Sequence, residues 1–276
     1  MAAAIAMSDE PLVGIHGLTK RYRRRARGRS APVDALAGAD LTIERGRVVA
    51  LVGESGSGKS TLARCLARLE EPTSGEIRFD GADVSSLRGT ALRAFRESVQ
   101  LLFQDSAAAL SPRLTAAEIV SEPLEILGRG DRSQRRRRAL ELMETVGLSS
   151  AEAARRPLEL SGGQRQRLAI ARALAVKPRL LILDEAFTGL DASIQAQVAA
   201  LLQDLRLREG LTYLCISHDL ALMSVFADEV AILFEGRIVE RAEAARLFAA
   251  PAHPHTRALV AAVLPVPPLA DATATP

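Results

Sequence analysis

Short unbroken apolar runs, separated by segments of helical period, organise this chain. Val48–Val52, Leu180–Leu183, Leu214–Ile216 and Val230–Leu233 have the pattern of parallel strands buried on both faces. Around them the period becomes helical, with Leu62, Leu66 and Leu69 after the first run, Leu168, Ala171 and Ala175 before the second, and Ile194, Val198, Leu201, Leu202 and Leu205 between the second and third. Glu76–Phe79 predicts a further strand, and residues 12–52 read as short strands and turns. From about Leu87 to Glu159 the pattern is helical. Thr115 and Glu118 form a capping box ahead of an apolar segment, and Ser133 precedes a helix with Ala139, Leu142, Met143 and Val146 on one face, ended by Gly147. The expectation is an α/β chain with one domain over residues 1–264, a helical insert over about 88–160, and a Pro/Ala/Thr-rich, disordered tail over 265–276.

Composition narrows the picture. With 276 residues, 48% of them hydrophobic, the chain can bury a sizeable core. The 36 basic residues nearly balance 33 acidic ones, so the net charge of +3 does not call for nucleic acid. The basic run Lys20–Arg29 reads as a solvated loop insertion, and Arg135–Arg138 as an exposed helix face. Cys65 and Cys215, each flanked by apolar residues, read as buried thiols of a reducing compartment. Met1–Met7 lacks the basic region and length of a signal peptide, and no run of about 18 apolar residues occurs. A cytoplasmic chain is expected, with any membrane role exerted through a partner.

Three motifs carry chemistry. Gly53, Glu54, Ser55, Gly56, Ser57, Gly58, Lys59, Ser60 and Thr61 form a P-loop, in the strand, loop, helix context that motif needs. The glycines let backbone N–H groups close around phosphate oxygens at a helix start, Lys59 reaches the same phosphates, and the Ser60 hydroxyl suits a magnesium ion bridging them. Asp184 and Glu185 follow the Leu180–Leu183 strand directly, where ligands of such sheets lie. Asp184 can therefore hold the magnesium shell and Glu185 polarise the attacking water. Ser161, Gly162, Gly163 and Gln164 form a glycine-rich, capped helix start. That is a second anion site, and with one P-loop in the chain its phosphate would sit on another chain. Tyr22, one of two tyrosines in a chain without tryptophan, is a candidate platform for a purine base.

On these motifs the chain resembles the ATP-binding subunits of ABC transporters over nearly its whole length. The resemblance implies a P-loop NTPase fold with a RecA-like core sheet, an inserted helical subdomain and an antiparallel β subdomain. It implies ATP and Mg2+ as cofactors, and two nucleotides sandwiched in a head-to-tail dimer, each contacted by Ser161–Gln164 of the opposite chain. By the same resemblance Tyr22 stacks on adenine, Gln104 senses magnesium and links to the transporter, Asp191 lies in the loop crossing the dimer, and His218 is a switch near the γ-phosphate. As a lone histidine at a strand end, His218 would otherwise read as structural.

Phe103–Ser106 with Ser111–Arg113, Ser193–Val198, Gly236–Glu240 and His253–Leu259 are similar to the oligopeptide, dipeptide and nickel importers of that family. Ala186 stands where a proline is usual after the glutamate, and His255 where a tyrosine is usual. His253 and His255 flank a proline and read as structural rather than metal-binding. The implied partners are a second ATPase subunit, unlike or identical, integral permease subunits and, indirectly, an extracellular substrate-binding protein. The implied location is the cytoplasmic face of the bacterial membrane. The first rival is a soluble ABC ATPase acting on nucleic acid or ribosomes, a class that typically carries two cassettes or a long coiled coil, and this chain has neither. An export ATPase of the same fold is disfavoured by the importer-like tail, and a module that binds ATP without hydrolysing it by the presence of Glu185 and His218. The cargo, peptide or nickel, stays open.

Overall fold

Val48–Val52 has no polar side chain, and all five residues are buried. Alternate residues of a strand face opposite ways, so this run needs apolar cover on both sides. Val48, Ala50 and Val52 enter one core cluster, and Val49 and Leu51 enter a second. The structure, a computed structural model, describes residues 10–26, 29–103 and 109–262. Its strands are β1 (Val13–Ala26), β2 (Arg29–Ile43), β3 (Val48–Val52), β4 (Ser74–Phe79), β5 (Ala82–Asp83), β6 (Val99–Leu102), β7 (Leu180–Asp184), β8 (Thr212–Ser217), β9 (Glu229–Phe234) and β10 (Arg237–Glu243). Its α-helices are α1 (Lys59–Leu66), α2 (Gly89–Ser98), α3 (Ala116–Ile126), α4 (Arg132–Thr145), α5 (Gly162–Leu174), α6 (Ala192–Glu209), α7 (Leu220–Phe226), α8 (Ala244–Ala249) and α9 (Pro254–Ala262).

Six strands form the central sheet in the order β10-β9-β3-β8-β7-β6, parallel except for β10. The others form an antiparallel sheet, β2-β1-β4-β5. One core cluster joins the central sheet to α1 and the antiparallel sheet through Leu62, Leu66, Ile15 and Leu41. The other joins it to the helices through Val120, Met143, Ile170, Val198 and Met223. Each such side chain contributes about 2 kcal/mol of burial, so the parallel sheet is held from both faces.

The structure departs from the sequence pattern in four places. The basic residues from Lys20 onward lie in a ribbon, not a loop: β1 and β2 stay paired to Ala26↔Arg29, whereas β4 leaves β1 at Thr19↔Ser74. Beyond that point the ribbon is two strands wide, so nothing selects an apolar alternation there. Val99–Leu102 is a strand within the stretch expected to be helical, and it pairs with β7 as the edge of the central sheet. Four residues including Gln100 are too few to show a period. The helix α4 starts at Arg132, before Ser133, because the Asp131 carboxylate accepts the Gln134 N–H at 2.9 Å and the Gln134 side chain accepts the Asp131 N–H at 2.9 Å. Finally, α1 ends at Leu66: Arg68 turns to a φ of 55° and leaves Leu69 53% exposed.

Asp228 ties these layers together. Its carboxylate accepts the Val48 N–H at 2.8 Å and pairs with Arg206 of α6 at 2.8 Å, and its own N–H donates to the Val48 carbonyl at 2.9 Å. Asp228→Ala is expected to cost about 2 kcal/mol, since it strips a strand amide and a largely buried guanidinium of their acceptor. Arg206 Nε also donates to the Gly46 carbonyl at 2.7 Å and Nη1 to the Gln203 side chain at 3.5 Å. The denaturant midpoint measures the loss, and a shift worth less than about 0.5 kcal/mol would show that these contacts suffice to hold Arg206.

Candidate active site

The loop after β3 is shaped by two glycines that cannot be replaced. A Cβ on Gly53 would lie 2.2 Å from the Leu233 carbonyl oxygen, and one on Gly58, at a φ of 110°, would lie 2.2 Å from that of Ala35. The loop is thereby pressed against the backbones of β9 and the segment around Ala35. Lys59, 6% exposed, donates from Nζ to the carbonyls of Gly53 and Glu54 at 2.7 Å each. Burial lowers its pKa, and the carboxylates of Glu185, Asp184 and Glu54 oppose that shift. A cation held inside a ring of backbone, at the start of α1, is a phosphate cradle.

Strand register brings the acidic residues to the same place. β8 lies between β3 and β7, with Val52 opposite Ser217 and Asp184 opposite Ile216. The loops carrying Gly53, Glu185 and His218 therefore leave the carboxyl ends of three adjacent parallel strands. Asp184 accepts a hydrogen bond from the Ser60 hydroxyl at 3.2 Å. Burial raises the Asp184 pKa, and the Ser60 hydrogen bond opposes this. Glu185 has a φ of 51°, a conformation rare outside glycine, held by its N–H donating to the Ile216 carbonyl at 2.9 Å. Its carboxylate stands 3.6 Å from His218 Nδ1. A hydroxyl beside a buried carboxylate is a donor set of hard oxygens and fits magnesium. Among the described residues no group of three or more His, Cys, Asp or Glu could hold a metal, so Ser60 and Asp184 would be two of an ion's ligands and not a complete set.

The other candidate residues lie on separate elements. Ser161 caps α5: its hydroxyl accepts the Gln164 N–H at 3.2 Å, and the Gln164 side chain accepts the Ser161 N–H at 2.9 Å. Gly162 is exposed with open space beyond it, whereas a Cβ on Gly163 would meet Ile194 Cγ2 at 2.8 Å. Asp191 is exposed and caps α6, accepting the Ile194 N–H at 2.9 Å. Tyr22 lies half-buried on β1; burial, and then the Glu70 carboxylate that accepts its hydroxyl proton, push its phenol pKa up. Gln104 lies outside the described residues, as does the tail from 265. His253 Nδ1 accepts the His255 N–H at 3.2 Å, and the His255 ring stacks on Phe234 with centroids 4.0 Å apart. Sequence reasoning missed Glu70, Arg64 and Lys20 around Tyr22; 48 residues separate Tyr22 from Glu70, and no local pattern joins them.

A parallel sheet whose strand ends unite a phosphate cradle, a hydroxyl–carboxylate pair and a second acid defines a P-loop nucleoside-triphosphate hydrolase. Residues 36–188 match the family described as ABC transporter. A candidate peptide import ATP-binding protein of Brucella ovis is 48% identical over 257 residues, covering 93% of this chain and 80% of that protein. The nickel import ATP-binding protein NikE of Pseudomonas putida is 45% identical over 261 residues, covering 93% and 94%. An ATP-binding cassette solved as a dimer in a post-hydrolysis state with ADP and Pi is 32% identical with a TM-score of 0.74, over 84% of this chain and 98% of that one. The chain belongs to the ABC transporter family. It is an ATP-binding, ATP-hydrolysing subunit of that family.

Proposed function

We propose that this chain is the ATPase subunit of a bacterial importer of peptides or small metal complexes. ATP would bind at the end of β3, with its phosphates among the loop amides and Lys59 and its base against Tyr22. Ser60 and Asp184 would hold Mg2+, which when bound neutralises charge on the phosphates. Gln104, in the segment outside the described residues, is assigned to the same shell by family resemblance alone. Glu185 would accept a proton from the attacking water, and His218, 3.6 Å from that carboxylate, would stabilise its arrangement. Ser161, Gly162, Gly163 and Gln164 would close on the nucleotide of a second ATPase subunit, unlike or identical, with Asp191 in the crossing loop. The observation that carries the reading is the meeting of Lys59, Ser60, Asp184 and Glu185 at the ends of β3 and β7.

No described helix is long and apolar enough to cross a membrane, so transport would come through permease subunits, with an extracellular binding protein acting indirectly. A groove of about 460 Å³ between α2, β6, α3 and α5 supports such docking: it is lined by Leu92, Leu101 and Leu127, and by Phe103 and Ile126, which are 45% and 71% exposed. The subunit is read as peripheral, on the cytoplasmic face of the cell membrane. The domain is read as residues 1–264, with β6 dividing the helical region into α2 and the later helices.

The test is sedimentation of Glu185→Gln with ATP lacking magnesium and with ADP. A dimer with ATP alone is expected if Ser161–Gln164 complete the site in trans. A monomer that binds ATP would assign that contact to an unlike partner, and a monomer unable to bind ATP would refute the reading.

A further inference from the structure

The candidate base platform lies on the antiparallel sheet and the P-loop helix follows a strand of the central sheet, and the Glu70 carboxylate bridges the two. After α1, the N–H groups of Leu69 and Glu70 both donate back to the Arg64 carbonyl, at 2.9 and 3.2 Å. Thr73 N–H then donates to the Thr19 carbonyl at 2.7 Å, and Arg21 N–H to the Thr73 hydroxyl at 2.9 Å. The backbone carrying Glu70 is thus tied to the last turn of α1 on one side and to β1 on the other. From that position Glu70 Oε2 accepts the Tyr22 hydroxyl hydrogen, while Oε1 stands 2.8 Å from Arg64 Nε. Lys20 Nζ lies 3.7 Å from Oε2, donates to the Glu71 carbonyl at 2.7 Å, and stands 5.2 Å from the Tyr22 ring centroid. The Glu70 side chain is 26% exposed, so the cluster is partly withdrawn from water.

A tyrosine has a rigid ring and one polar handle, its hydroxyl. Anchoring that handle to an ionised carboxylate uses the stronger, charge-assisted class of hydrogen bond. We propose that Glu70 is a positioning residue, which sets the orientation of the Tyr22 ring for stacking on the purine base of ATP. The proposal rests on the reading of Tyr22 as the base platform. Binding to a ring already held in place avoids ordering it at the moment of association. Arg64 lies four residues beyond Ser60 on α1, so the same carboxylate links the base platform to the helix that presents the phosphate site.

The test uses the whole chain with Glu70→Ala, Glu70→Gln, Tyr22→Phe and the double variant Glu70→Ala/Tyr22→Phe. Glu70→Ala is expected to raise the Kd and KM for ATP roughly 3- to 10-fold with kcat within about twofold, the signature of lost binding rather than lost chemistry. Its affinity for inorganic tripolyphosphate, which has no base, should not change. Tyr22→Phe keeps the ring and loses the handle, so it should show the same rise, and the double variant no further rise. Glu70→Gln still accepts from the hydroxyl and should recover most of the affinity. Equal losses for ATP and tripolyphosphate in Glu70→Ala, unchanged ATP affinity, or additive effects in the double variant would each overturn the proposal. Tyr22→Ala separates it from the reading beneath it. Normal ATP affinity in Tyr22→Ala removes the base platform and the proposal together. A selective loss there, with none in Glu70→Ala, removes the positioning role alone.

Discussion

Glu185→Gln is expected to lower steady-state ATP turnover by a factor of roughly 10² to 10⁴, the span ascribed to a positioned general base. Glutamine has nearly the same shape and retains an acceptor oxygen, but it cannot take a proton from water at neutral pH. The backbone that aims this side chain is held independently of it, by the Glu185 N–H on the Ile216 carbonyl and by the Glu185 carbonyl on the Thr188 N–H at 3.0 Å. The φ of 51° thus survives the substitution, and so does the direction of the side chain. The loop amides and Lys59 stay in place and one negative charge beside them is removed, so ATP affinity should not fall below that of wild type. Phosphate release and equilibrium ATP binding measure the two quantities separately. Turnover within a factor of about three of wild type would take Glu185 out of the mechanism.

The second large effect is expected at Lys59. Removing its ammonium with Lys59→Ala should weaken ATP binding roughly 10- to 100-fold, the equivalent of about 1.5 to 3 kcal/mol for a charged hydrogen bond. The ammonium is buried, is bound to the Gly53 and Glu54 carbonyls, and has Glu185 and Asp184 as charge neighbours. Without it two carboxylates face incoming phosphates uncompensated, which adds repulsion to the lost contact. The loss should be as large for tripolyphosphate as for ATP, the opposite of the selectivity expected at Glu70. Titration calorimetry with both ligands checks this, and normal affinity for either would contradict the phosphate cradle.

These effects attach to residues of very different legibility. The P-loop, the Asp184–Glu185 pair and the Ser161–Gln164 start are contiguous, and each follows or opens an element whose apolar period is strong. Local spacing therefore displays them. What sequence could not display is pairing over distance. The meeting of the loops carrying Gly53, Glu185 and His218 depends on β8 lying between β3 and β7, which is a matter of strand order. The Glu70–Tyr22 bond crosses between two layers and leaves no period behind. The ribbon of β1 and β2 escaped because half-buried alternation needs a core beneath it, and β6 because four residues complete only two turns of the strand period. Asp191 and Ser161 illustrate a further limit: each already caps its own helix, and only a second chain distinguishes a cap from a contact.

The strand order also sets a timetable for synthesis. β3, which carries the P-loop, has β8 on one edge and β9 on the other, and β9 ends at Phe234. On the ribosome this apolar strand emerges with both edges bare. At about 5–20 residues per second it waits roughly 10 to 40 s for its second neighbour. Until then its amides and carbonyls are open to any other extended segment, including a nascent copy of the same chain. Every residue of the phosphate cradle has been made by Thr61, yet the strand that flanks β3 on its second edge is not complete until Phe234. The P-loop leans on the completed sheet, since Gly53 packs against the Leu233 carbonyl of β9, and truncation before β9 is expected to remove that support.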